Sequence, residues 1–274
     1  MTSTTSHPPV RPAGELDQHL SKATPTFWQR LPALSGVAFA VLLMAGFFLS
    51  GGDTPDYTAT DQEWTNWADG NKAKSGIGAL LTLMAGVVGL HFAGTIRSLL
   101  GSAEATVRSS GQLARVAYAG ALIGITGITM AVVIIAGASA EGADANPVVI
   151  RAVASTTVGS FLLAAMGFAA LLAAAGLLTL RSRVFARWTG IVALLGALAF
   201  FLTFFTLIVG PGEDSVFGYG FFVGFLALAT WSIATSIARY RAAAISTREL
   251  PATEGPDPAD RSYPAGTARG DSSR

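Results

Sequence analysis

One side chain inside the long apolar segments of this chain has the chemistry of an acid or a base, and it is His91. A histidine at membrane depth is able to relay protons or bind a metal ion. No carboxylate, cysteine or second histidine occurs in any of these segments, so His91 has no evident partner. We therefore expect a structural histidine, neutral and hydrogen-bonded to a carbonyl or a threonine of a neighbouring helix.

A second group with possible chemistry is a set of carboxylates in one loop: Asp53, Asp56, Asp61, Glu63 and Asp69. Carboxylates bind divalent cations, but their spacing differs from that of a calcium-binding loop. An acidic outer face explains them equally well, and we predict no metal site.

Several chemistries are excluded by missing residues. The chain has no cysteine, which removes thiolate metal sites and a thiol nucleophile. Paired intramembrane carboxylates for proteolysis and paired histidines for haem are also missing, as are the common nucleotide-binding and hydrolase motifs. We predict no catalytic residue, no cofactor and no nucleic-acid partner.

The composition predicts a membrane protein. Hydrophobic residues make up 51% of the 274 residues and charged residues only 13%, about half the charge of a soluble domain. Six apolar segments lie at about 32–50, 76–96, 116–138, 152–180, 184–210 and 216–238. Each approaches the ~20 residues that cross a bilayer, and lipid-exposed backbone of this length must be helical. The predicted fold is an all-α bundle of six transmembrane helices.

The loop charges predict the orientation of this bundle. Of 18 Lys and Arg residues, 15 lie before the first apolar segment, in the 97–115 loop, in the 181–187 turn or after the last apolar segment. Nine of the 17 acidic residues lie in the alternate loops. By the positive-inside rule, both termini are expected in the cytoplasm of a bacterial cell, with the chain in its cytoplasmic (inner) membrane.

Both ends of the chain are predicted to be disordered tails. Residues 1–26 are polar and contain proline, which predicts disorder and does not match a signal peptide. The transmembrane domain is expected at 27–240 and a second disordered tail at 241–274.

The first outer loop, 51–75, contains a predicted short helix from Asp61 to about Ala68. Thr60 and Glu63 have the spacing of a capping box at its start. Trp64 and Trp67 would share one face of this helix and lie against the outer membrane interface.

Phenylalanines and glycines suggest how the helices meet. Eight phenylalanines lie in the outer halves of the fifth and sixth segments: Phe200, Phe201, Phe204, Phe205, Phe217, Phe221, Phe222 and Phe225. They are expected to pack together or to face lipid, with an apolar pocket as the alternative. The glycine pairs Gly120/Gly124 and Gly220/Gly224 predict close helix packing within the chain.

One short motif resembles a known family. Arg183-x-x-x-Arg187-Trp188-x-Gly190, followed by an Ala/Leu/Gly run, is similar to six-pass membrane proteins of high-GC bacteria grouped as a domain of unknown function. Members commonly carry a proline before the Arg-Trp pair, where this chain has Ala186. The resemblance implies the six-pass architecture over residues 27–240 but no activity.

The function predicted from the sequence is that of a non-enzymatic polytopic protein. It would act through lipid of the bilayer, a membrane protein partner or a homo-oligomer, with His91, Arg187, Trp188, Trp64 and Trp67 as candidate contacts. A permease or exporter for an apolar or neutral solute is the alternative. An enzyme acting on lipid head groups at the acidic loop is a third option.

Overall fold

The computed structural model describes residues 31–51, 55, 59–107, 111–140, 146–209 and 216–246. This part of the chain is all-α, as predicted, and contains no strand. A 3-10 turn at Leu31–Leu34 leads into α1. The helices are α1 (Ser35–Gly51), α2 (Asp61–Thr106), α3 (Gln112–Ala140), α4 (Pro147–Ser182), α5 (Arg187–Leu202), α6 (Thr206–Val209) and α7 (Val216–Ser246).

The helix lengths define a multi-pass membrane protein. Five helical stretches are long and apolar enough to cross a bilayer: α2, α3, α4, the α5–α6 stretch and α7. The α5–α6 stretch is broken by a 3-10 turn at Thr203–Phe205. Helix α1 is equally apolar but has 17 residues, about 26 Å at 1.5 Å per residue. It is therefore shorter than the other five.

The helices follow one another around the bundle. Each long helix packs against the next in the chain, and α7 returns to pack against α1 and α5. Trp64, near the start of α2, packs in one cluster with Ile135, near the end of α3. Along α3, Gly120 and Gly127 lie against Gly167 and Ala164 of α4, in the reverse order. Adjacent helices therefore run in opposite directions. The connections from α2 to α3 and from α4 to α5 consequently lie at one end of the bundle, together with the C-terminal end of α7.

Helix α2 differs from its prediction. The short outer helix at Asp61–Ala68 is not separate, because it continues unbroken through the apolar segment to Thr106. This single helix of 46 residues is about 69 Å long, more than twice a hydrocarbon core. The capping box at its start is confirmed: Thr60 Oγ1 accepts the Glu63 N–H, and Glu63 Oε2 accepts the Thr60 N–H at 2.7 Å.

Glycine lets α3 and α4 approach to backbone contact. A Cβ at Gly120 would lie 2.6 Å from the carbonyl oxygen of Gly167, and one at Gly127 would lie 2.5 Å from the backbone nitrogen of Ala164. The second predicted pair behaves similarly, since a Cβ at Gly220 would lie 2.7 Å from the Ala199 carbonyl oxygen. The prediction that these glycines serve packing within the chain is confirmed.

Aromatic rings fill the half of the bundle that lies away from the arginine-rich ends. Phe221 of α7 contacts Phe161 of α4 and Phe200 of α5, with ring centroids 5.3 and 5.6 Å apart. Phe225 lies 4.9 Å from Phe47 of α1. Three of the eight phenylalanines are instead exposed on the outside of the bundle, namely Phe201, Phe205 and Phe222. The described rings thus pack together or face outward, while the side chain of Phe217 lies outside the described set.

Several predicted boundaries move; for example, α4 begins at Pro147 rather than at about 152. The C-terminal tail was expected to begin at residue 241, but α7 continues to Ser246. The fifth segment was expected to begin at 184, whereas α5 begins at Arg187, after Arg183 adopts the left-handed conformation with φ of 56°. The predicted tail at 1–26 and residues 247–274 lie outside the described residues.

Candidate functional site

We call the end of the bundle that carries most described arginines the basic end. Its arginines come from five helices and one turn: Arg97, Arg115, Arg181, Arg183, Arg187, Arg239 and Arg241. The opposite end carries Asp61, Asp69 and Arg151.

A polar groove opens on the side of this end, and we call it the His91 groove. Its volume is about 500 Å³. It is lined by six residues of α2 and one of α7: Leu90, His91, Gly94, Thr95, Ser98, Leu99 and Arg239. The spacing of 91, 95 and 98 places three polar side chains on one face of α2. Helix α2 therefore supplies one wall and Arg239 the facing cation.

His91 does not occupy the environment that we predicted. Its side chain is exposed in the groove and makes no hydrogen bond to another described residue. Its backbone carbonyl accepts the hydroxyl of Thr95 at 2.9 Å. The expected bond to a neighbouring helix is wrong because His91 lies on the outward face of α2, whereas Phe92 points inward against Trp231.

Arg239 is the most unusual charge of the basic end. The side chain is half-buried, and its Nη1 atom is buried without a hydrogen-bond partner in the described part of the chain. A guanidinium N–H that loses water without gaining an acceptor costs free energy, and more so because the group is charged. The groove thus holds a cation whose hydrogen-bonding capacity is not used.

The His91 groove continues along α2 toward the loop. A second groove of about 570 Å³ shares Gly94 and Ser98 with it and adds Arg97, Gly101 and Ser102. Arg97 lies over the ring of Tyr118 in α3, 5.0 Å from its centroid. This cation–π contact holds Arg97 beside the second groove.

The predicted residues Arg187 and Trp188 lie in a different place at the basic end. Arg187 is exposed, and Trp188 is 52% exposed at the start of α5. Trp188 borders a mainly apolar groove of about 470 Å³ between α5 and α7 that ends at Arg241. The structure therefore does not bring Arg187 and Trp188 together with His91.

Trp64 and Trp67 lie far from all three grooves and are not surface anchors. They are 1% and 8% exposed and meet edge to face, 5.8 Å between ring centroids. They pack with Ala68 on α2, Ile135 and Ala138 on α3, and Ile150 on α4. The predicted interface position is wrong because α2 lies against α3 and α4 here rather than against lipid.

Of the acidic loop residues that the structure describes, Asp61 and Glu63 have structural roles and Asp69 is exposed on α2. Asp61 forms an ion pair with Arg151 at 2.8 Å, and the same Arg151 donates to the Ala59 carbonyl. Glu63 completes the capping box. Asp53 and Asp56 lie outside the described residues, and within those residues no cluster of metal-ligating side chains is found.

Sequence reasoning missed Arg239 and Glu104. We counted Arg239 among the basic residues that follow the last apolar segment, which was predicted to end at about residue 238. It nevertheless follows Trp231, Ser232 and Ser236 at helical spacing on α7. That periodicity was the available signal. Glu104 was counted as a loop residue, yet it is a fully buried carboxylate near the end of α2.

No family model, curated protein or solved structure matches this chain. Fold and site alone therefore define its class, which is that of a multi-pass α-helical membrane protein with a lateral polar groove at its basic end.

Proposed function

We propose that this chain is a non-enzymatic six-pass protein of the bacterial cytoplasmic membrane that acts through lipid, with both termini in the cytoplasm. The observation that carries the lipid role is the half-buried Arg239 in a groove that opens on the side of the bundle. In a membrane, a lateral opening faces lipid rather than bulk water. The resemblance of the Arg187-Trp188 region to six-pass proteins of high-GC bacteria supports the same architecture.

The orientation rests on charge. Fifteen of 18 basic residues flank the ends that we place in the cytoplasm. Because the chain contains no cysteine, single cysteines report topology without background. Ser102 and Asp69 are both exposed on α2, toward opposite ends of the helix.

A membrane-impermeant maleimide applied to intact spheroplasts should label Asp69→Cys and leave Ser102→Cys unlabelled until the membrane is opened. Labelling of Ser102→Cys in sealed cells would reverse the proposed orientation. Labelling of both would contradict the proposed number of spans for this part of the chain.

The lipid role is tested on the purified full-length chain in a neutral detergent. Thermal denaturation is followed with phosphatidylglycerol, with phosphatidylcholine and without added lipid. We expect phosphatidylglycerol to raise the denaturation temperature more than phosphatidylcholine, because a ligand that binds the folded state stabilises it. Equal temperatures in all three samples would refute action through an anionic lipid.

A permease for a neutral solute is the second candidate, supported by polar groups inside the bundle. The hydroxyls of Ser232 and Ser236 and the indole N–H of Trp231 are buried on α7 without partners among the described residues. The Ser236 hydroxyl faces α1, since it would collide with a Cβ at Gly36, while the Trp231 ring contacts Phe92 of α2. A transported solute with hydroxyl or amide groups would satisfy them.

The two candidates differ in the accessibility of Ser236. In a permease with alternating access, Ser236→Cys should react with a small water-soluble thiol reagent added from either side of the membrane. In the lipid-acting protein that we favour, the tight contact with Gly36 should keep this cysteine unreactive from both sides.

A further inference from the structure

We propose that the His91 groove binds the phosphate of an anionic membrane lipid, with Arg239 as its principal cation. This inference rests on the proposed lipid function and adds the site and the chemical group that is recognised.

The first argument is the state of Arg239. Its Nη1 atom is buried and has no acceptor in the described part of the chain, and no described carboxylate lines the groove. A guanidinium presents several N–H donors in a planar fork that matches phosphate and carboxylate oxygens. An anion in the groove would accept hydrogen bonds from the part of the Arg239 guanidinium that lines the groove and would balance its charge.

The second argument is the set of donors opposite Arg239. The side chains of His91 and Ser98 line the groove without a hydrogen bond to another described residue. Imidazole N–H and hydroxyl groups donate to phosphate oxygens. Together with Arg239 they bring donors from two helices to one groove, which suits a group with several acceptor oxygens better than a single carboxylate.

The third argument concerns the source of the phosphate. Helix α2 continues away from the groove with an exposed apolar stripe: Leu83, Val87 and Leu90 are 46%, 71% and 50% exposed. Their spacing of four and three residues places them on one face, directly along the helix from His91. An acyl chain would lie on this stripe while its head group reached the groove. A free phosphate ion would leave the stripe unused.

The depth of the groove agrees with a lipid. Arg239 lies in the last turns of α7, and His91 lies near the end of the apolar segment of α2. Long cationic side chains near helix ends extend to the head-group region of the bilayer. Lipid phosphate occupies that region.

The test measures phosphatidylglycerol retained by the full-length protein in native mass spectrometry, over a series of lipid concentrations. The key variant is Arg239→Gln, which keeps a polar side chain but loses the charge. Arg181→Gln is the matched control, because Arg181 is exposed at the same basic end and lines neither groove. Ser98→Leu is a second variant that fills the groove and leaves Arg239 in place.

We expect Arg239→Gln to weaken phosphatidylglycerol binding by about tenfold or more, because it removes charge-assisted hydrogen bonds to the phosphate. Ser98→Leu should weaken binding to a similar degree, because its side chain fills the groove. Arg181→Gln should bind as the wild type does. Phosphatidylcholine should bind weakly to all variants. Inorganic phosphate at millimolar concentration should not displace the lipid.

Three results would overturn the site. If Arg239→Gln and Ser98→Leu, folded by circular dichroism, retain the lipid as the wild type does, the lipid binds elsewhere and only the general lipid function survives. If inorganic phosphate displaces the lipid completely, the groove takes a soluble anion. If the wild type retains no phosphatidylglycerol, both the proposed site and the proposed lipid function are refuted.

Discussion

The carboxylate of Glu104, near the end of α2, accepts a hydrogen bond from the backbone N–H of Ala114 in the first turn of α3, at 3.0 Å. Its other oxygen accepts the N–H of Leu113 at 3.1 Å. The first N–H groups of a helix have no acceptor within the helix, and a negative charge is favourable beside them. Glu104 therefore caps α3 from the preceding helix and holds the connection between the two at the basic end.

Removal of this cap should destabilise the bundle. Glu104 is 1% exposed, so Glu104→Ala would leave two buried N–H groups without an acceptor. We expect the free energy of unfolding to fall by about 2–3 kcal/mol, measured by chemical denaturation in detergent. Glu104→Gln keeps one acceptor oxygen and should lose less. Wild-type stability for Glu104→Ala would show that water replaces the carboxylate.

The contact between α3 and α4 should tolerate no added atom at Gly167. A Cβ there would collide with the backbone of Gly124 and lie 2.6 Å from the carbonyl oxygen of Gly120. Gly167→Ala is expected to lower the denaturation temperature. Gly159 is the control on the same helix, because a Cβ at that position meets nothing within 4 Å. Gly159→Ala should be neutral or stabilising by up to ~1 kcal/mol, as alanine favours a helix over glycine.

The buried and the exposed tryptophan should respond differently to truncation. Trp64→Ala removes a ring that is 1% exposed and should cost about 3–5 kcal/mol of unfolding free energy. Trp188→Ala removes one that is 52% exposed and should change stability by about 0.5 kcal/mol or less. Parallel thermal melts of the two variants decide this. Equal losses would contradict the burial difference.

Proline should be accepted at position 186, where members of the resembling family carry it. Ala186 precedes α5 with φ of −59° and ψ of 139°, and proline fixes φ near −65°. We expect Ala186→Pro to stabilise the protein by about 0.4–1 kcal/mol through the unfolded state. Ala193→Pro, inside α5, should cost about 3 kcal/mol or more. A loss at position 186 would indicate that Phe185 cannot adopt the extended backbone that a following proline requires.

Local patterns made several features predictable. The apolar segments became helices because a backbone in lipid must satisfy its own hydrogen bonds. Thr60 and Glu63 met as expected because their interaction spans only three residues. Gly120 and Gly124 packed as predicted because small residues at one-turn spacing form a groove on any helix.

Predictions failed where a neighbouring helix decided the outcome. Trp64 and Trp67 are amphipathic side chains beside a polar loop, a pattern that equally fits a membrane interface. Their burial depends on Ile135, Ala138 and Ile150, which the sequence around the tryptophans does not encode. The prediction for His91 failed for a similar reason. The helical periodicity of α2 shows that His91 and Phe92 face different sides of the helix, but it does not show which side faces the core.

The sequence by itself determined the class of protein, the approximate spans and the concentration of positive charge at alternate helix ends, because these follow from apolar length and from charges counted one segment at a time. Only the tertiary structure decided that Arg239 faces His91 across a lateral groove. Those residues belong to helices far apart in the chain, and their proximity results from α7 returning to pack against α1 beside α2. Contacts between distant helices depend on the packing of the whole bundle, which no single segment specifies.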